Sequence, residues 1–373
     1  MSYKNRLFKH KRPYDLEKTN QLFLNAMQEN CRYQYAHCPE YARILDEKGF
    51  HPDDLKTYQD LENLPFIPTL YFKHNEMYSM TGRRMLIKAT SSGTSGKKSK
   101  MGFNFSSLYR GLRMVLTLGK KHHLFTLKPT HYLVFGYEPN RNNKIVFSKT
   151  AYGFTYFSPA LSRDYALKYH KDGYQVDLEN LKNKFTKYSK SKFPVRTIGF
   201  PAYTYFLLKQ MKEEGLKVQL PKGSKITLGG GWKQFYAEKV SKEDFYALAK
   251  EVLGIDDTDI VEFFGAVEHP ILYTHCKYHH FHVPVYSRVL IRDVDTLKPI
   301  PNGEIGLVNL QTPMVDSVPI LSIMTDDLGI LHEQECPCGI KTPYLEILGR
   351  VGIKDIITCA AGADKVLNGE VES

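Results

Sequence analysis

The sequence predicts an α/β protein closed by a β-rich segment, and three observations carry that reading. Between residues 131 and 265, short apolar runs alternate with stretches of helical periodicity, as strands joined by crossover helices do. After about Cys276 the pattern changes to strands and turns. A chain of 373 residues, 42% hydrophobic and 24% charged, can bury a sizeable core.

In chain order, helical patterns run from Asp15 to about Tyr35 and from Glu40 to Lys48. Pro65 and Pro68 interrupt regular structure in LENLPFIPTLYFK. MLIKATSSGTSGKKSK begins as an apolar strand and empties into small, hydroxylated and glycine residues. From Ser106 a helix is expected, with Leu108, Leu112, Val115 and Leu116 on one side. The segments 131–137, 195–200, 225–232 and 259–265 read as strands. The segments 176–190, 201–215 and 241–253 read as helices. Pro201 suits a first helical turn, and Ser241 suits an N-cap with Asp244 three positions on. SRVLIRDVD and GEIGLVNLQT supply the later strands.

Bulk properties exclude several classes. No apolar run approaches the roughly 20 residues of a membrane span. The start, MSYKNRLFKHKRPYD, lacks the apolar stretch of a signal peptide, so a cytoplasmic location is expected. The net charge of +11 is compatible with nucleic acid, an anionic membrane, or an acidic partner or substrate. Lysines 97, 98 and 100 form one cluster, and lysines 182, 184, 187, 190 and 192 form another with the spacing of a solvated helix face. No nucleic-acid-binding motif accompanies either. Six cysteines are too few for a disulfide framework in a chain of this length, which fits a reducing compartment.

Two constellations carry chemistry. Ser91, Ser92, Gly93, Thr94, Ser95 and Gly96, followed by Lys97 and Lys98, let the backbone approach a phosphate, with hydroxyls and ammonium groups to neutralise it. The order is not that of a P-loop. A flexible linker would have the same composition, but linkers seldom run directly from a strand into a helix. The second constellation is Cys276-x5-His282 with Cys336-x-Cys338, two soft pairs suited to a tetrahedral structural zinc. Four protein ligands would leave no open position for catalysis, and His275, His279 and His280 offer competing ligands. Reduced cysteines in turns beside a His-rich strand would also give this pattern.

TSSGTSGKK resembles the phosphate-binding loop of the acyl-adenylate-forming superfamily, and further motifs follow in that superfamily's order. Gly229-Gly230-Gly231-Trp232 stands where its adenine-contacting turn is expected. Phe264-Gly265-Ala266-Val267-Glu268 is similar to its YGxTE motif, which implies that Phe264 packs near adenine and Glu268 helps hold Mg²⁺. Thr325-Asp326-Asp327-Leu328 resembles TGDL, with Asp327 gripping the ribose hydroxyls. Leu348-Gly349-Arg350 resembles the hinge whose arginine reaches the nucleotide. The loop lysine of the family falls at Ser99 here, with Lys97, Lys98 and Lys100 around it, and Lys98 is assigned its role. The aspartate that commonly follows the hinge is replaced by Val351 and Gly352.

LPFIPTLYFK (64–73), GFPAYTYFLLK (199–209), GGGWK (229–233) and TPMVDSVPILSIMTDDLG (312–329) are similar to segments of LuxE-type acyl-protein synthetases and phenylacetate–CoA ligases. The resemblance implies an adenylate-forming N-terminal domain with a β-rich subdomain over residues 1–350. It also implies a nearly absent C-terminal domain, reduced to a short tail over 351–373. It implies ATP and Mg²⁺, a long-chain fatty acid as substrate, acyl transfer to Cys359, and an acyl-reductase partner. Phenylacetate–CoA ligase-like proteins have cysteine and histidine pairs like those proposed for zinc. The alternatives are a CoA ligase for an aryl or short-chain acid and a catalytically dead nucleotide-binding subunit, which the intact Glu268 and Asp327 argue against. His269 is expected to line an acyl pocket or to be structural, and Tyr203 to pack in the core.

Overall fold

The computed structural model describes residues 2–90, 99–140, 146–170, 173–232 and 239–350. In chain order the helices are α1 (Tyr3–Phe8), α2 (Leu16–His37), α3 (Pro39–Glu47), α4 (Tyr71–His74), α5 (Phe105–Lys121), α6 (Val146–Phe154), α7 (Leu178–Ser189), α8 (Pro201–Glu213) and α9 (Lys242–Leu253). The strands are β1 (Ile67–Pro68), β2 (Ile87–Thr90), β3 (Lys100–Phe103), β4 (Thr130–Tyr137), β5 (Ala160–His170), β6 (Gly173–Val176), β7 (Val195–Gly199) and β8 (Lys225–Gly229). They continue with β9 (Ile260–Phe264), β10 (Tyr273–Thr274), β11 (Phe281–His282), β12 (Arg288–Arg292), β13 (Gly306–Gln311), β14 (Ser322–His332) and β15 (Tyr344–Arg350). Contacts divide the chain into two units: one of residues 1–121, 265–273 and 280–373, the other of 122–264 and 274–279.

The second unit is the predicted α/β part. Its sheet has the order β10-β9-β8-β7-β4-β5-β6, and β5, β4, β7, β8 and β9 run parallel. Uninterrupted apolar runs such as HYLVFGY suit parallel strands covered on both faces. Leu133, Phe135, Val195 and Ile226 point to the face covered by α7, α8 and α9, where Leu181, Phe185, Leu207 and Val252 meet them. The alternate residues Val134 and Ile198 point to the other face and pack with Ala151 and Phe154. Ser241 caps α9 through the Asp244 N–H, and Pro201 opens α8, as the sequence indicates. Tyr203 packs against the helix-side core. β5 and β6 were not evident in the sequence, because ALSRDYALKYH mixes charged and apolar residues at a sheet margin.

In the first unit, β11-β15-β14-β13-β12 form an antiparallel sheet, with β1 added in parallel to β14. Helices α1, α2 and α5 are tied to the segment entering β14 by a buried charge network. The Asp316 carboxylate lies 2.7 Å from the Lys4 ammonium and 2.9 Å from an Arg110 nitrogen. Asn30 Nδ2 and Gln34 Nε2 donate to the Val315 carbonyl.

One local expectation changes. The Ser/Gly-rich segment does not pass from a strand into a helix, because β3 intervenes and pairs antiparallel with β2, Thr90 opposite Lys100. The helix that follows buries Ser107, Arg110, Met114 and Leu118, while Leu112 and Leu116 face outward. The Arg110–Asp316 pair sets that rotation.

Candidate active site

In the second unit the strand order around β4 reverses direction, β5 to one side and β7 to the other. Ligands of open α/β sheets sit beyond the carboxyl ends of strands at such a point. Gly230 follows β8 and Phe264 ends β9, two adjacent strands on the β7 side of that point, with Gly229 and Phe263 in register. Gly230 and Gly231 have φ of +81° and +67°, so the turn requires residues without a Cβ. Further back, a Cβ on Gly199 would stand 2.3 Å from the Phe135 carbonyl oxygen, so β7 and β4 approach closely there.

In the first unit a tight turn presents Glu268. The Ala266 and His269 backbones hydrogen-bond each other, and a Cβ on Gly265 would lie 2.8 Å from the Ile271 carbonyl oxygen. His269 is fully buried, its Nε2 3.2 Å from the Tyr273 hydroxyl and 3.1 Å from that of Ser287. Burial pushes its pKa down to about 3, so the ring is a neutral anchor and structural. Glu268 is itself 6% exposed. Among the described residues no lysine or arginine pairs with it, so its charge calls for a cation from elsewhere.

Asp327 on β14 stands opposite Arg350 on β15, with the arginine Nε 3.7 Å from its carboxylate. Its pKa is raised, first by burial; Arg350 opposes this, and the negative charges of Asp326 and Glu268 add to it. Asp326 accepts a hydrogen bond from Thr69 Oγ1 at 3.0 Å. Glu268, Asp327 and Arg350 are therefore gathered in one unit, two carboxylates close enough to influence each other and one exposed guanidinium at their margin.

The four zinc candidates also come together: the ligand atoms of Cys276, His282, Cys336 and Cys338 all lie within 4.8 Å of one another. Cys276 and Cys336 each begin a short turn, closed by hydrogen bonds from the His279 and Gly339 N–H groups. The Tyr278 and Ile340 N–H groups point at the sulfurs of Cys276 and Cys338. His282 Nδ1 donates to the Thr342 carbonyl at 3.0 Å, which leaves Nε2 to face Cys338 Sγ at 3.2 Å. Of the competing histidines, His275 is engaged with the Ile260 carbonyl, while His280 stacks on Tyr344 and touches Cys336 Sγ.

Ser91, Ser92, Gly93, Thr94, Ser95, Gly96 and Lys98 lie outside the described residues, as does Cys359 with the rest of 351–373. Of the loop's neighbours, Ser99 is buried and Lys100 pairs with Glu76. Cys31 and Cys38 are buried; burial pushes the Cys31 thiol up to about 12 and raises that of Cys38. No helix among the described residues is long and apolar enough to cross a membrane.

This fold is that of the adenylate-forming ligases. An open-conformation 2-hydroxyisobutyryl-CoA ligase, solved with 2-HIB-AMP and CoA, matches with a TM-score of 0.69 at 16% identity, covering 92% of this chain and 77% of its own. Within that class the chain belongs to the LuxE acyl-protein synthetase family, which matches residues 4–368. It is 27% identical over 332 residues to a long-chain-fatty-acid–luciferin-component ligase of Aliivibrio fischeri, covering 86% of this chain and 82% of the relative. A ligase of the same name from Vibrio harveyi is 25% identical over 359 residues, covering 93% and 88%.

Proposed function

We propose that the protein activates a long-chain fatty acid with ATP and passes the acyl group to its own Cys359. An acyl-reductase partner would then receive it. The observation that carries this reading is the gathering of Glu268, Asp327 and Arg350, carboxylates without a sufficient cation of their own, in a chain of this family. In the first step a carboxylate oxygen of the fatty acid attacks the α-phosphorus, the bond to the β-phosphate bridge breaks, and pyrophosphate leaves. Asp327 accepts hydrogen bonds from the ribose hydroxyls, and Arg350 reaches the nucleotide beside it. Glu268 would hold Mg²⁺, which supplies charge neutralisation on the transferring phosphate. Gly230 lets the backbone approach the adenine, which packs near Phe264. Residues 91–96 and Lys98 would neutralise the phosphates.

In the second step a thiolate attacks the acyl carbon and AMP leaves, giving a thioester. The other cysteines support Cys359 by their surroundings. Cys31 and Cys38 are core residues with raised pKa, and the remaining three share the histidine cluster. ATP–pyrophosphate exchange, measured across saturated acids of increasing length, tests the first step. Exchange that peaks with long chains is expected; exchange only with aryl or short acids, with AMP release requiring CoA, would make the protein a CoA ligase instead.

The Cys276, His282, Cys336 and Cys338 group fits a structural zinc, because a neutral imidazole and three sulfurs converge with their outer hydrogen bonds in place. Elemental analysis of purified protein should find close to one zinc per chain. Cys338→Ser is expected to lose the metal and roughly 5–10 °C of thermal midpoint. Full metal-free stability in the wild type would remove zinc from the account.

A further inference from the structure

The basic residues are spread along the chain, but the acidic ones are not. Residues 77–137 contain 11 lysines and arginines and no aspartate or glutamate, while the other 40 basic residues balance the 40 acidic ones. The whole net charge of +11 therefore belongs to one stretch. Within the first unit that stretch includes the β2–β3 hairpin and α5.

Helix α5 is oriented unusually. A surface helix normally buries its apolar stripe and turns its charges outward. Here the buried side holds Arg110 against Asp316, together with Ser107, Met114 and Leu118. The outward side carries Phe105, Leu112 and Leu116, which are 72%, 57% and 38% exposed. Positions 105, 112 and 116 fall on one line at about 100° per residue and span roughly 16 Å. Leu86, 61% exposed, joins the neighbourhood, since its N–H bonds the Phe103 carbonyl two residues before Phe105. Scattered exposed leucines are ordinary, but an aligned row is not. Arg83, Arg84 and Lys88 on the hairpin side, and Lys120 and Lys121 at the helix end, are exposed. None of these five forms an ion pair among the described residues.

We propose that the outward face of α5, with its basic flanks, docks on the surface of an anionic lipid membrane. An apolar row flanked by cations in excess of acids, Glu76 being paired with Lys100 on β3, is the composition that lies in a bilayer interface. A protein partner or a second copy would be met by the same apolar row, but the five exposed cations without an ion pair among the described residues, Arg83, Arg84, Lys88, Lys120 and Lys121, favour a broad anionic surface. The proposed substrate points the same way, because long-chain fatty acids partition into bilayers and an enzyme held there meets them at high local concentration.

Flotation of the full-length protein with vesicles decides the matter. The wild type should float with phosphatidylcholine vesicles containing about 30% phosphatidylglycerol, less with phosphatidylcholine alone, and less again at high salt. A Phe105→Ser, Leu112→Ser, Leu116→Ser variant should bind the anionic vesicles about tenfold more weakly. Its ATP–pyrophosphate exchange with a detergent-dispersed fatty acid should be unchanged, which also reports that it is folded. Arg83→Gln with Arg84→Gln should flatten the salt dependence without touching the apolar row. A wild type that ignores anionic vesicles overturns the proposal, whether or not the protein is active. Equal binding by the serine variant overturns it as well, and so does loss of self-association in that variant in place of vesicle binding, which would assign the face to a second copy.

Discussion

Glu268→Gln is expected to slow ATP–pyrophosphate exchange by about 10²–10³-fold while leaving the fold intact. The substitution keeps the shape of a side chain that is 6% exposed and removes only its charge. The turn beneath it is held by Gly265 and by the buried His269, Tyr273 and Ser287 hydroxyl–imidazole group, none of which is altered. The loss should therefore appear in the rate and in a raised Mg²⁺ requirement, with an unchanged thermal midpoint. The charge of Glu268 also helps to raise the pKa of Asp327, so removing it should let that pKa fall toward the ordinary carboxylate value. An exchange rate within about threefold of wild type would mean that Glu268 holds no metal needed for the step.

Asp316→Leu carries the largest expected cost in stability. Lys4, Arg110 and Asp316 are 5%, 2% and 8% exposed, so the variant leaves two buried cations without their counter-charge. Breaking one side of such a group costs about 3–5 kcal/mol, which a urea titration would show as a lowered midpoint. Removing Lys4 alone should cost less, because the Arg110 pair survives. The same carboxylate sets an acid limit. Burial pushes its pKa up, but the neighbouring Arg110 and Lys4 charges outweigh this and hold it below the usual 3.8. A carboxylate whose folded pKa is depressed contributes its stability above the unfolded value and loses it as the pH falls through the folded one. Wild type should thus lose stability steeply below about pH 4, and Asp316→Asn should lack that part of the acid dependence.

The sequence made much of the parallel sheet legible, because β4, β7, β8 and β9 are near-continuous apolar runs bounded by helices with ordinary caps. The cysteine–histidine pairs were also legible, since few residue types ligate zinc, whereas Glu268 and Asp327 were singled out only through the resemblance of their segments to family motifs. β5 and β3 were not: one mixes charges into a sheet-margin strand, and the other is four residues of KMGF between a loop and a helix. Periodicity put Leu112 and Leu116 on one side of α5 but gave no sign of which side faces water. That is settled by Arg110 meeting Asp316 across 206 positions, a pairing no local window contains. The neutral state of His269 likewise follows from its complete burial, and its hydrogen bond to Ser287 joins positions 18 apart.

The central claim, acyl-adenylate formation followed by transfer to the protein's own thiol, is tested most directly by covalent labelling. The protein is incubated with radiolabelled tetradecanoic acid, ATP and Mg²⁺, separated on a denaturing gel and treated with hydroxylamine. The account predicts an ATP-dependent label that hydroxylamine removes. Cys359→Ala should lack that label while retaining ATP–pyrophosphate exchange. An unlabelled wild type that releases AMP only when CoA is added would contradict it.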